Sequence, residues 1–302
     1  MSIYFEGVVK EITDRVNSSL TYTGIAKSSS ASMSAPVWRV SRVITQGTLT
    51  TTEYADHGNY NQVFEDRETL FPVPEYANMF SLLFDGINDS VSFGNSFLYD
   101  RTNPFSLSMW IKPGNLGARQ TLYAKATADA NVYGWGFYLE TSGKIAVQAR
   151  TSSSLTSGTG TNVFTVGAWQ HLLITYNGAS NISGIRIYRN GVVGTPPASQ
   201  TLTGTLLLGQ ESYLGVRNTS FQYTGNIDEV GFWGAELTGP QVLEVYNGGV
   251  PISLTNLSSS GSLQHSYAMG GEGVFPDVPD QVGTSPGTAN NMTVAQVVQD
   301  TP

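Results

Sequence analysis

Between Leu82 and Asn247 the chain repeats one pattern. Short runs alternate large apolar residues with small or polar ones, and each run is bounded by Gly, Asn, Pro or Ser. The runs are Leu82 to Asp85, Val91 to Phe93, Phe105 to Pro113, Trp169 to Tyr176, Ile185 to Arg189 and Tyr223 to Trp233. A period of two in runs this short predicts many strands in an all-β, two-sheet antiparallel sandwich. One stretch breaks the period. From Leu237 to Asn247, Thr238 suits an N-cap, Pro240 falls in the first turn, and Leu237, Val242, Val245 and Tyr246 share one face. This predicts a short helix that Gly248 ends.

The flanks carry weaker patterns. Residues 1–16 fit neither period and read as one strand or an amphipathic arm. Residues 17–36 are rich in Ser, Thr, Asn and Ala, and Ser28 to Ser32 is a flexible composition. Val37 to Ile44 alternates, with Trp38, Val40, Arg42 and Ile44 on one face and Val37, Arg39, Ser41 and Val43 on the other. Thr48 to Thr52 is β-prone, Asn61 to Phe71 is short and mixed, and Pro72 and Pro74 mark a linker. Three parts result: a small β and coil N-terminal segment over 1–76, the sandwich over 77–249, and an irregular tail over 250–302 that holds a brief strand and a glycine turn from Leu263 to Gly273 and otherwise wraps the surface. The first part is either an appendage on the main domain or an anchor that orders against a partner. As an anchor, it would assemble through Trp38, Arg39, Arg42, Phe64 and Arg67.

Composition sharpens this picture. Only 13% of residues are charged, and Ser, Thr, Asn and 33 Gly fill the difference, which suits an all-β chain with many turns. A net charge of −8 with 15 scattered Lys and Arg argues against a nucleic-acid groove, which needs cations to replace phosphate counterions. The absence of Cys excludes disulfides, thiolate metal sites and cysteine nucleophiles. Met1 to Lys10 has no basic segment followed by an apolar core, so no signal peptide is expected. No run of about 18 apolar residues is present, and no membrane insertion is expected.

The landmarks Phe84-Asp85-Gly86, Phe105-Ser106-Leu107 through Trp110-Ile111-Lys112-Pro113, Trp169-Gln170-His171-Leu172, Ile187-Tyr188-Arg189-Asn190-Gly191 and Gly225-Asn226-Ile227-Asp228-Glu229-Val230 occur in that order. With the closing helix, the block resembles the laminin-G-like, concanavalin-A-like jelly roll, in the variety shared with pentraxin-type modules. The flanks resemble tailed-bacteriophage virion proteins. At the N-terminal side the resemblance lies in Pro36 to Val40 and Val63 to Arg67. At the C-terminal side it lies in Met269 to Gly273, Pro276-Asp277, Asp280 and Gly287 to Met292. It implies a virion-surface protein made in the host cytoplasm, with other virion proteins and further copies of itself as partners.

Three chemistries were weighed. Glycoside hydrolases of this architecture carry Glu-x-Asp-x-x-Glu on one strand, so that alternate carboxylates face one cleft. No such string occurs here. Glu65-Asp66-Arg67-Glu68 is misspaced, and His57, His171 and His265 have no evident Ser or Asp partner in sequence. A non-enzymatic protein is expected. For calcium, Asp85 and Asp89 bracket a turn, and the resemblance places Asp228 near it as a third ligand of a structural Ca²⁺ site. The other reading is that these carboxylates cap turns. For sugars, Trp135, Tyr138, Tyr123, Arg150 and Gln148 lie in central strands, although Trp135 and Tyr138 have opposite parity and cannot both face a ligand. Trp110, Trp169 and Phe137 are spaced as core.

The leading expectation is therefore a virion structural protein: a capsid decoration, fibre or tail-surface subunit that displays the jelly roll. The alternative is a carbohydrate-binding lectin module, an adhesin for a host surface glycan. An endo-glycosidase of the same architecture is the remote one.

Overall fold

A computed structural model of the chain describes five strands before residue 58 and residues 79–302, apart from 127–133, 152–154, 208, 210, 218–220 and 271–274. Two units are distinguished, Met1–Glu75 and Tyr76–Pro302.

The first unit is an antiparallel sheet of β1 (Tyr4–Glu6), β2 (Lys10–Thr13), β3 (Ser19–Lys27), β4 (Val37–Gln46) and β5 (Leu49–His57). The order is β1-β3-β4-β5, with β2 also on β3. Strand β3 falls in the Ser-, Thr-, Asn- and Ala-rich stretch just before the flexible Ser28 to Ser32 run, where no strand is expected. Leu20, Thr21, Tyr22, Thr23 and Ile25 are β-prone residues, and on β4 they find a ten-residue partner that local composition could not reveal. Trp38, Arg39 and Arg42 lie on β4, opposite His57, Asp56 and Glu53 of β5. Phe64 and Arg67 lie outside the described residues.

The second unit contains β6 (Ser81–Asp85), β7 (Ser90–Ser92), β8 (Phe105–Pro113), β9 (Gln120–Ala126), β10 (Gly134–Leu139), β11 (Lys144–Arg150), β12 (Leu155–Val163), β13 (Gln170–Tyr176), β14 (Ile185–Arg189), β15 (Val192–Val193), β16 (Glu211–Leu214) and β17 (Thr224–Trp233). Helix α1 (Gly239–Tyr246) follows, then β18 (Leu263–Tyr267), β19 (Asp277–Val278), β20 (Gly287–Asn290) and β21 (Val297–Val298). One eight-stranded sheet runs β12-β11-β10-β9-β16-β7-β20-β19. The other runs β15-β14-β13-β8-β17-β6-β21, with β18 on β17. The fold is the expected all-β jelly-roll sandwich.

Alternation explains the core. Phe105, Leu107, Met109 and Ile111 of β8 point between the sheets, to meet Tyr123, Trp135, Phe137 and Val147 of the opposing sheet. The outer face of the β8 sheet is covered as well. Leu173, Tyr188 and Trp233 are buried there beneath Leu237, Val242 and Val245 at helix α1 and Leu254, Leu257 and Leu263 beyond it. That is why β13 is buried at every position. The helix forms where predicted. Thr238 N–H donates to Gln241 Oε1 (3.0 Å), and Asn247, in the left-handed region at φ 46°, caps the other end.

The segment after residue 249 does more than wrap the surface. It contributes β18 and β21 to the β8 sheet and β19 and β20 to the β10 sheet, and it buries Tyr267, Met269, Val278 and Met292 in the main core. Strand β18 falls in the brief strand expected from Leu263, whereas β19, β20 and β21, of two to four residues, are too short to show a period and only their partner strands reveal them. Asp300 pins the end of this segment. Its carboxylate accepts from Lys112 Nζ (2.7 Å) and Trp169 Nε1 (2.9 Å), and its carbonyl accepts from Ser81 Oγ (2.6 Å).

Candidate functional site

The side chains proposed for sugar contact divide between two faces of the β10 sheet. Trp135 and Tyr123 are corrections to the expectation, because both belong to the core. Trp135 is 2% exposed, its Nε1–H donates to Tyr99 O (3.0 Å), and it packs on Tyr176 and Phe105. Tyr123 stacks on Phe137 at 6.0 Å, and burial raises its pKa. Aromatic rings that complete the space between two sheets bury more apolar area than an open platform would.

Tyr138 points to the opposite face, as alternation requires. Gln148 and Arg150 of β11 share that face, since Tyr138 pairs with Ala146 and alternate residues repeat the side. Both are half-buried. Tyr138 is nevertheless fully covered and gives no open platform. Its ring lies over Gly136, where an added Cβ would come within 2.3 Å of the hydroxyl. The Arg119 and Arg217 guanidinium groups stand 5.1 and 5.9 Å from the ring centroid, and Phe221 packs edge-on at 6.2 Å. Burial raises the Tyr138 pKa, and the two arginines offset this only in part. Arg119 is also paired with Glu140.

The calcium expectation required Asp85, Asp89 and Asp228 to converge, and they do not. Asp89 Oδ2 accepts from Asp85 N–H (2.9 Å), and Asp85 Oδ1 accepts from Ile87 N–H (2.7 Å), so these two brace their own turn. Asp85 pairs with Thr224 across β6 and β17, which leaves Asp228 four residues further along β17. There Asp228 Oδ1 accepts from the Glu229 and Met269 N–H groups. Among the described residues, no cluster of three His, Asp or Glu could hold a metal ion.

The open concavity lies elsewhere. A groove of about 640 Å³ is lined by the β7–β8 crossover from Asn95 to Pro104, by Gln264 and His265 of β18, and by Gly234 and Ser285. Phe97 shapes its floor. With φ at 58°, a costly value for a bulky residue, it turns the chain so that its own ring stacks flat on Phe232 at 3.8 Å while Leu98 is 56% exposed. His265 packs edge-on against Phe97 at 4.9 Å.

Polar groups fix this wall. His265 Nδ1 hydrogen-bonds Asp280 Oδ2 (2.6 Å), an aspartate partner that no sequence spacing disclosed. Asp280 also accepts from the N–H groups of Ser266, Val282, Gly283 and Ser285. Burial alone would raise the Asp280 carboxyl. The hydrogen bonds from His265 and the backbone outweigh it and hold the pKa below the usual value. Beneath the crossover, Lys125 is 1% exposed and donates to Asn95 Oδ1 (3.0 Å) and Ser96 O (2.7 Å). Burial pulls its pKa down to about 8. Tyr99 Oη donates to Gln264 Oε1 (2.8 Å), and Asp100 N–H donates to Asn103 Oδ1 (2.9 Å).

Sequence reasoning passed over Asn95, Asn103 and Gln264, and weighed His265 only as a catalytic histidine without a partner. The two asparagines sit in Asn-Ser and Asn-Pro pairs that read as turn chemistry. Gln264 and His265 join them only because β18 pairs with β17.

The family model described as the concanavalin A-like lectin/glucanases superfamily, of the laminin G type, matches residues 85–243, more than half of the 302-residue chain. No curated protein matches the sequence. Among solved structures, a candidate carbohydrate-binding protein from Bacteroides ovatus is similar at 14% identity and a TM-score of 0.50, over 92% of this chain and 68% of its own. The heptameric SAP-like pentraxin of Limulus polyphemus (17% identity, TM-score 0.43) covers 60% of this chain and 90% of its own. The NanB sialidase of Streptococcus pneumoniae (15% identity, TM-score 0.44) covers 57% of this chain and 27% of its own. The chain belongs to the concanavalin A-like lectin/glucanases superfamily.

Proposed function

We propose that this protein is a non-catalytic carbohydrate-binding module and that it binds its ligand in the groove between the β7–β8 crossover and β18. The observation that carries the reading is the groove's lining. Three exposed amide side chains, Asn95, Asn103 and Gln264, stand around an apolar patch of Leu98 and Pro104 beside the His265 ring. Amides match sugar hydroxyls, and an apolar patch accepts the C–H face of a pyranose. Its volume falls within the roughly 300–1,000 Å³ of small-molecule sites. The B. ovatus carbohydrate-binding candidate agrees with this class of function.

Hydrolysis of a glycosidic bond needs two carboxylates facing the substrate. The described residues lining the groove include no Asp or Glu. Asp280 lies behind His265, saturated by its own hydrogen bonds, and among the described residues no serine hydroxyl bonds His265. The test is equilibrium binding to a panel of oligosaccharides, comparing the wild type with Gln264→Ala. The reading expects at least one micromolar-to-millimolar ligand whose affinity falls about tenfold in the variant, or about 1.4 kcal/mol. A panel without any ligand, or a variant that binds as the wild type does, refutes it.

A second reading, display of this module on the surface of a bacteriophage virion, is favoured by the separate N-terminal sheet. Its edge strand β5 offers nine residues of backbone to a partner. Electron cryomicroscopy of purified particles tests it. Density for residues 1–57 against another virion protein supports it, and particles that lack the chain refute it.

A further inference from the structure

We infer that the groove selects acidic saccharides, and that a ligand carboxylate is received by the free amide ends of Asn95, Asn103 and Gln264. The inference rests on the carbohydrate-binding reading and adds the ligand's charge. It follows from which end of each amide is already in use.

Lys125 Nζ can only donate, so the Asn95 atom it touches at 3.0 Å must be the carbonyl oxygen. The Asp100 N–H can only donate as well, which fixes Asn103 Oδ1 toward the protein at 2.9 Å. Tyr99 Oη donates to Gln264 Oε1 at 2.8 Å, so this amide too has its oxygen in use. Each amide therefore spends its acceptor internally and keeps its NH₂ for a ligand. None of these three NH₂ groups makes a hydrogen bond among the described residues, and all three side chains are exposed.

Neutral sugars present hydroxyls that both donate and accept, and the sites that hold them supply both kinds of partner. This lining offers three NH₂ groups, the Ser285 hydroxyl and no carboxylate, while the Ser96 hydroxyl already donates to Phe93 O (2.7 Å), so a ligand rich in acceptors suits it best. A carboxylate is acceptor-only when ionised, and its hydrogen bonds are the strong, charge-assisted kind. The buried Lys125 ammonium strengthens the effect. It polarises Asn95 through Oδ1, which makes the far NH₂ a better donor. The Asp280 carboxylate behind His265 is matched by that ring and four backbone N–H groups, and Asp100 on the crossover by Thr205 Oγ1 and the Arg101 and Leu206 N–H groups, so both charges are met within the protein. Arg101, on the same crossover, is turned away to Gly204 O and Ser180 Oγ.

The experiment is isothermal titration of the full chain with trigalacturonate and sialyllactose, against the neutral counterparts galactotriose and lactose. The double variant Asn95→Asp with Gln264→Glu is titrated in parallel. These substitutions keep the inward oxygens and exchange outward donors for acceptors of the same shape. The inference expects an acidic ligand to bind at least about tenfold more tightly than its neutral counterpart, and the double variant to lose that preference. Two outcomes overturn it. Neutral ligands bound as tightly, with affinity still lost in Gln264→Ala, would leave carbohydrate binding standing without the charge selection. Binding of none of the four, with none from a wider neutral panel, would remove both readings.

Should the double variant melt below the wild type, ionic strength decides on the unaltered protein. Affinity for the acidic ligand falls severalfold between about 0.05 and about 0.5 M salt if its carboxylate is held there. A flat salt profile overturns the inference.

Discussion

The groove at Asn95 and the sheet face at Tyr138 both bring aromatic rings together with polar side chains, yet they are built in opposite ways. On the sheet face the cations pack against the rings. Arg119 and Arg217 lie over Tyr138 and Phe221, and Tyr138 is left with no exposed surface. In the groove the rings form the floor and the polar groups stand at the rim, tied at one end and free at the other. Planar guanidinium groups stack on aromatic faces and cover them. Short amides fixed by a backbone donor or a buried ammonium cannot fold down in that way. The contrast shows that a count of aromatics near a central strand says little about a ligand site. What matters is which polar ends the protein has already used.

Three changes would break or sharpen this contrast. The largest effect belongs to Asp280→Ala, which removes the one acceptor for His265 and four backbone N–H groups. Leaving such buried donors unmatched costs on the order of 3 kcal/mol or more, and for a unit of this size the melting temperature should drop by roughly 6–12 °C. Calorimetry reads this directly. A shift below about 1 °C would mean that the groove wall does not depend on its polar network.

The middle effect is a pH dependence. The folded Lys125 has its pKa lowered to about 8 by burial, against the ordinary 10.5 of the free side chain. Between those values the unfolded chain binds more protons than the folded one, so stability rises with pH across that window, by up to about 1.4 kcal/mol per unit. Buried Tyr99, Tyr123, Tyr223 and Tyr267 have raised pKa values and act in the opposite sense, lowering stability as pH climbs past 10. Denaturant titrations from about pH 8 to about pH 10 should therefore show a rise in the wild type that Lys125→Met lacks. Parallel curves would place Lys125 in water rather than beneath the groove.

The smallest effect is expected at Arg217→Ala. It removes one stacked cation, 4.7 Å from the Phe221 centroid, at a cost of about 0.5–1 kcal/mol, and it should leave saccharide affinity within about twofold. Binding lost in this variant but kept in Gln264→Ala would move the ligand to the sheet face.

Much of the fold was legible because alternation is a local property. The β8 run from Phe105 to Pro113 and the β13 run from Gln170 to Tyr176 carry it within a few residues, and Thr238 with Gln241 announces the helix through neighbouring groups alone. Strand β3 and the strands β19 to β21 were less legible, since their evidence lies in partners elsewhere along the chain. The site was barely legible. Parity correctly separated Trp135 from Tyr138, but the arginines that cover Tyr138 come from residues 119 and 217, outside its own strand.

The amino-acid sequence by itself determined the β-sandwich, the place of the closing helix and the exclusion of cysteine chemistry, because periodicity, capping and composition act over a few bonds. Only the tertiary structure decided that Asp228 stands apart from Asp85, that His265 has Asp280 as its partner, and that Asn95, Asn103 and Gln264 turn their acceptors inward. The physical reason is distance along the chain. Each of these arrangements but that of Asn103 is set by groups 15 to 165 residues apart, brought together by strand pairing that no local pattern encodes.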